Sequence, residues 1–179
     1  VLIRTWPSSS NKYYAFRRFE VFDQDGGLVA EALSTWVILD VARRRMKAMT
    51  QEVRDLRAHG QIKDAPRDPN PKKIARLDTY VHEKGITARR SDLDRNGHVN
   101  NTVLTGWLLE AIPQDVYEAG ALASAEVSFR AECLAHEKVS SQCSPSQTGL
   151  EPETSFLHTI IRNRDGKELI RAETRFAHS

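Results

Sequence analysis

Cysteine is scarce in this chain: Cys133 and Cys143 are the only two. That excludes a disulfide framework and a thiolate zinc pattern, and it fits a reducing compartment. Long hydrophobic runs are missing, so no segment is expected to insert in a membrane as a spanning helix. An excess of one charge sign is missing as well. The 26 Lys and Arg against 24 Asp and Glu leave a formal net charge of +2. A balance that close gives no reason to expect nucleic acid as a partner. Low-complexity tracts are absent, so disorder is not the expectation.

What is present is an ordinary globular composition. Hydrophobic residues make up 40% and charged residues 28% of 179 positions. That length suits one domain or two small ones with a sizeable core. The chain starts at Val1 and reads at once as a strand, so it is expected to be a fragment whose targeting segment, if any, lies out of view.

Alternation and β-branched or aromatic residues predict strands at Val1–Trp6, Tyr13–Phe22 and Leu28–Leu39. Asp25-Gly26-Gly27 supplies hairpin chemistry between the last two, because glycine reaches positive φ at little cost. Val41–Leu56 reads as partly helical. The stretch from His59 to Arg76, with Gly60, Pro66, Pro69, Asn70 and Pro71, reads as a linker. Beyond it, Val103, Trp107, Leu108 and Ala111 predict a long helix within Val99–Tyr117, ended or kinked at Pro113. Strands are then expected at Ala125–Leu134, Glu137–Cys143, Ser155–Asn163 and Glu168–Ala177, the last pair turned by Asp165-Gly166.

The end of the second half repeats the end of the first. Setting Asp25-Gly26 on Asp165-Gly166 places Ala32 on Ala172, Ser34 on Thr174 and Trp36 on Phe176. The expected fold is therefore α+β: a tandem hot-dog, each unit an antiparallel sheet wrapped around a long helix. The first repeat, residues 1–49, is read as truncated at its N-terminus and as leaving Trp36 and its neighbours uncovered. Residues 50–78 would be the linker and 79–179 the second, catalytic repeat.

The densest chemistry lies in Arg90-Ser91-Asp92-Leu93-Asp94-Arg95-Asn96-Gly97-His98-Val99-Asn100-Asn101, just before the predicted helix. Asp94, Asn96 and His98 alternate, so an extended loop would point them the same way. The helix start beyond offers free N–H groups and a partial positive charge. Asp94 or Asn96 could instead serve only as the helix cap, with Asn100 and Asn101 tying down its start. A second group is Arg130-Ala131-Glu132-Cys133. On a regular strand Cys133 shares a face with Val127 and Phe129 and reads as a core thiol, while Glu132 points to the opposite, polar face. Only a bulge or the strand end would turn Glu132 inward.

The stretch RSDLDRNGHVNNTVLTGWLLEAIP, from Arg90 to Pro113, resembles the signature of plant and bacterial acyl-acyl-carrier-protein (acyl-ACP) thioesterases. Phe129-Arg130-Ala131-Glu132-Cys133 resembles that family's second motif, and Thr35-Trp36-Val37 with Arg43-Arg44 fit its first domain. The resemblance runs from Val1 to about Cys143. It implies two hot-dog domains and hydrolysis of fatty acyl-ACP to free fatty acid, which terminates fatty acid synthesis. The family's functional Asp, Asn and His fall on Asp94, Asn96 and His98, its Glu on Glu132, and the Cys once proposed as nucleophile on Cys133. Gly97 departs from the Gln usual in plant members.

On that footing Asn96 and His98 would orient the thioester or stabilise charge on its oxygen, and Glu132 would activate water. Asp94 would hold the network or attack the carbonyl itself. An alternative makes Cys133 the nucleophile, activated by His98. No metal or organic cofactor is implied. The implied partner is acidic acyl carrier protein, met by Arg43, Arg44, Arg45 and Lys47 or by Arg89 and Arg90; a homodimer is compatible with this reading. The implied compartment is the bacterial cytoplasm or the plastid stroma. Rival readings are a hot-dog acyl-coenzyme A thioesterase and an inactive acyl-binding hot-dog module.

Overall fold

The computed structural model describes residues 1–40, 42–43, 45–52, 68–146 and 153–178. The chain divides into two units, Val1–Lys72 and Lys73–Ser179. The division falls inside the segment expected to be a linker.

The first unit is a three-stranded antiparallel meander: β1 (Leu2–Ser10), β2 (Ala15–Phe22) and β3 (Leu28–Trp36), in the order β1-β2-β3. The β2–β3 turn is built by Asp23, whose Oδ1 accepts the N–H groups of Asp25 and Gly27 at 2.9 and 2.7 Å. Gly26 sits at φ +84°, where a side chain would be strained. Two short strands follow, β4 (Ile38–Asp40) paired with β5 (Arg45–Lys47). Val41–Leu56, read from sequence as partly helical, holds a strand at 45–47 and helical geometry at Gln51 and Glu52, while 41, 44 and 53–56 lie outside the described residues. Trp36 is 60% exposed, whereas Phe176, its counterpart in the repeat, is buried.

Asp68 fastens the far end of this unit to the sheet. Its side chain is fully buried. It accepts 2.6 Å hydrogen bonds from the Ser8 and Ser9 hydroxyls and holds the Arg18 guanidinium at 2.6–2.8 Å. Desolvation pushes its carboxyl up, but the two serines and Arg18 outweigh it and the net shift is downward.

The second unit is a five-stranded antiparallel sheet in the order β6-β8-β9-β10-β7. Its strands are β6 (His82–Thr87), β7 (Gly120–Phe129), β8 (Lys138–Ser146), β9 (Glu153–Arg162) and β10 (Lys167–His178). The meander β8-β9-β10 has the same connectivity as β1-β2-β3. Two helices lie between β6 and β7: α1 (Asn101–Leu109) and α2 (Gln114–Ala119). The long helix expected over Val99–Tyr117 is therefore broken. Pro113 disfavours helical geometry at Ile112 before it and stands at the N-cap position of α2, its carbonyl accepting the Tyr117 N–H at 3.0 Å. α1 places Leu104, Trp107 and Leu108 in a core with Val139, Ile160, Ile170 and Ala172 from the sheet.

His158 of β9 is wholly buried, with Nε2 at 2.8 Å from Thr174 Oγ1. Burial pushes its imidazole down to about 4, partly offset by the Leu108 backbone. In the unfolded chain a histidine titrates at about 6.5. As pH falls below that value the unfolded state binds a proton first, so stability drains between about pH 6.5 and 4 and is intact above. The loss reaches about 2 kcal/mol by pH 5 and about 3 kcal/mol in all. Denaturant midpoints at pH 7 and pH 5 should fall apart for the native chain and stay closer for His158→Gln. Equal separations would place the acid sensitivity elsewhere.

Candidate active site

The segment before α1 is a closed tip rather than an extended loop. It opens with a 3-10 turn over Arg90–Asp92. Asp92 is buried there and accepts from the Arg89 N–H at 2.7 Å and from the Arg89 guanidinium. Leu93 then bridges to Val99 in antiparallel fashion. Inside that bridge the Gly97 N–H donates to the Asp94 carbonyl at 3.1 Å, and the Asp94 N–H to the His98 carbonyl at 2.7 Å. Gly97 takes φ +78°, the residue type that closes such a tight turn without strain. The alternation of Asp94, Asn96 and His98 therefore does not reflect an extended strand.

Asp94 organises this turn. Its Oδ1 accepts the N–H groups of Asn96 and His98 at 2.8 and 3.2 Å, and its Oδ2 lies 3.4 Å from Asn96 Nδ2. Desolvation raises its carboxyl, but the hydrogen bonds from His98 and Asn96 overcome it and the carboxyl lies below its ordinary value. Neither Asp94 nor Asn96 caps the helix. Asn100 does, with Oδ1 accepting the Thr102 N–H at 2.9 Å and the Thr102 hydroxyl at 2.8 Å.

The second motif also departs from the strand expected over Ala125–Leu134. β7 ends at Phe129. The N–H groups of Arg130 and Ala131 both turn to the Leu169 carbonyl, at 2.8 and 3.3 Å, the doubled donation of a bulge. Arg130 Nε is anchored on Glu168 at 2.7 Å. The chain then pairs with the tip: His98 bridges to Leu134, and the Val99 N–H donates to the Cys133 carbonyl at 2.8 Å. This brings Glu132 Oε2 to 3.3 Å from His98 Nε2, with the two side chains 73% and 33% exposed. Glu132 escapes the face that simple alternation assigned it because the strand has already ended.

Cys133 goes the other way. It is 0% exposed and packs in the core with Val139, Ile160 and Leu169. Burial, with the nearby Glu137 carboxylate, pushes its thiol up to about 12. Such a group is a packed hydrophobe rather than a ready thiolate.

Of the basic residues singled out in the sequence, Arg89 pairs with Asp92 and Arg43 with Asp40. Arg90, Arg45 and Lys47 are exposed; Arg44 lies outside the described residues. Glu137 and Arg162, which frame the Glu132 segment, gave no sequence signal. They are far apart along the chain and match no short motif.

The family model described as the acyl-ACP thioesterase C-terminal domain matches residues 76–178, and that of the N-terminal domain matches residues 1–56. A chloroplastic palmitoyl-acyl carrier protein thioesterase of Cuphea hookeriana is 30% identical over 97% of this chain and 43% of its own length. Oleoyl-acyl carrier protein thioesterase 1 of Arabidopsis thaliana is 29% identical over 97% of this chain and 54% of its own length. The chain thus spans about half of these plant relatives. Among solved structures, the 12:0-ACP thioesterase from Umbellularia californica superposes with a TM-score of 0.81 at 26% identity, over 99% of this chain and 66% of that one. An acyl-ACP thioesterase from Bacteroides thetaiotaomicron gives 0.74 at 24%, over 98% and 68%. The α+β, mainly antiparallel architecture is thus that of the acyl-ACP thioesterase hot-dog folds, with short helices here in place of one long one.

Proposed function

The chain belongs to the acyl-ACP thioesterase family, and on that premise we propose that it hydrolyses the thioester of fatty acyl-ACP, releasing free fatty acid and ending fatty acid synthesis. The observation that carries the reading is the 3.3 Å pair between His98 Nε2 and Glu132 Oε2, drawn from two separate motifs. In the proposed reaction Glu132 accepts a proton from water as the water oxygen bonds to the thioester carbonyl carbon. His98 holds the Glu132 carboxylate in place, and Asn96 orients the substrate. The C–S bond then breaks, the acyl group leaves as the acid, and the carrier sulfur takes back the proton as a thiol. Buried Cys133 has no part in bond making.

Asp94 acts in this scheme by closing the turn. Asn keeps the Oδ1 acceptor, so Asp94→Asn should fold and retain turnover within about tenfold, the effect of weakening one hydrogen bond by about 1 kcal/mol. Single-turnover hydrolysis in oxygen-18 water checks it: direct attack puts the label in the fatty acid. Label in the Asp94 carboxylate, with a folded but dead Asp94→Asn, would make Asp94 a nucleophile working through an anhydride.

The function itself is tested by incubating the protein with matched acyl-ACP and acyl-coenzyme A series and identifying the released acids by mass spectrometry. Faster release from coenzyme A, or none from either, would overturn the carrier-protein reading.

A further inference from the structure

We infer that Arg162 is a positioning residue for this hydrolysis, fixing the main chain that carries Glu132; the inference rests on the function proposed above. Glu132 is largely exposed. Past the end of β7 its segment leaves the sheet and pairs with the tip through the His98–Leu134 bridge and the Val99–Cys133 hydrogen bond, neither of which is made by Glu132 itself. The place of its backbone therefore decides whether its carboxylate stays within reach of His98. Arg162, at the end of β9, supplies that restraint from a side chain only 14% exposed. Its Nε and Nη2 grip the two Asp165 oxygens at 3.0 and 2.8 Å. That fork leaves Nη1 aimed the other way, donating to the Glu132 carbonyl at 3.3 Å and lying 3.5 Å from Glu137 Oε2. Glu137 in turn accepts the Leu134 N–H at 2.9 Å and pairs with Arg164 at 2.7 Å. The segment is thus held at Glu132 and Leu134, on either side of the carbonyl that Val99 uses. A planar guanidinium serves three acceptors at once in fixed directions, which an ammonium does not.

A role confined to neutralising Glu137 predicts something different, and a double-mutant cycle separates the two. kcat and KM for one acyl-ACP thioester are measured for the native chain, Arg162→Ala, Glu132→Gln and the double variant, with thermal melts alongside. Arg162→Ala should lower kcat by roughly 10–10²-fold, the size expected of a displaced catalytic group, with little change in KM. In the Glu132→Gln background the same substitution should cost nothing further, because its effect passes through that carboxylate. Arg162→Lys keeps the charge without the fork, so it should melt like the native chain yet turn over several-fold slower. If Arg162→Ala does not fold, the cycle is run with Arg162→Lys. Additive losses, or full activity in Arg162→Lys, would overturn the inference and leave the catalytic reading standing. Near-normal turnover in Glu132→Gln would overturn both.

Discussion

Glu132→Gln and His98→Ala are each expected to lower kcat for acyl-ACP hydrolysis by roughly 10²–10⁴-fold, the usual effect of removing a positioned acid or base. Both residues lie on the surface of their unit, joined to each other at 3.3 Å, so the folded state should survive. Gln keeps the shape of Glu132 and one acceptor oxygen but cannot take a proton from water at neutral pH. Cys133→Ala should behave in the opposite way. Its sulfur fills core space among Val139, Ile160 and Leu169, so the variant should lose about 1 kcal/mol of stability and keep most of its turnover. Circular dichroism and melting curves must accompany the rates. A folded Cys133→Ala as slow as His98→Ala would sink this assignment and restore the thiol as nucleophile.

Asp68→Ala should destabilise the first unit by about 3 kcal/mol, the range found when a buried charge is taken from its partners. The substitution leaves the Ser8 and Ser9 hydroxyls and the Arg18 guanidinium without their shared acceptor. Arg18 is 42% exposed and will partly rehydrate, which keeps the loss from being larger. Native-state hydrogen exchange reads the effect by place: protection in β1 and β2 should fall, and that in β8–β10 should stay. Uniform loss of protection, or none, would show that Asp68 is not the fastening point. Ser8→Ala should be milder, since Ser9 and Arg18 still satisfy the carboxylate.

The sequence disclosed the hairpins most clearly. Asp25-Gly26-Gly27 and Asp165-Gly166 turn where expected, because glycine alone takes positive φ without strain, and Gly26 and Gly166 both do so. The strands before and after those turns were equally legible. The break expected at Pro113 is there, with α2 beginning just after it, but α1 already ends at Leu109 although hydrophobic spacing continues past it. The start of β7 was hidden by Gly120, Ala121 and Ala123, which carry weak strand preference. Its end was hidden too, since a bulge depends on a partner carbonyl from Leu169. For the site, the two motifs were found by residue type. That Asp94, Asn96 and His98 form a turn was not legible from alternation, although Gly97 carried the clue. Nor was the meeting of His98 with Glu132, which depends on pairing between segments distant in the chain. Asn100 was legible as a residue tying down the helix start, its side chain standing just ahead of the first helical turn and capping it.

The seam between the two motifs is made by main-chain atoms, through His98 with Leu134 and Val99 with Cys133. Such a seam is blind to spelling and sensitive to length. Leu134 is exposed, and its side chain can drift over generations without disturbing the pairing. A deletion or insertion of one residue between Ala131 and Leu134 has a different effect: it slips the register and sends alternate side chains to opposite sides. Glu132 would then face away from His98 while every chemical group of the site was still encoded. Descendants of this sequence should therefore vary at exposed Leu134 and hold the spacing of the seam constant.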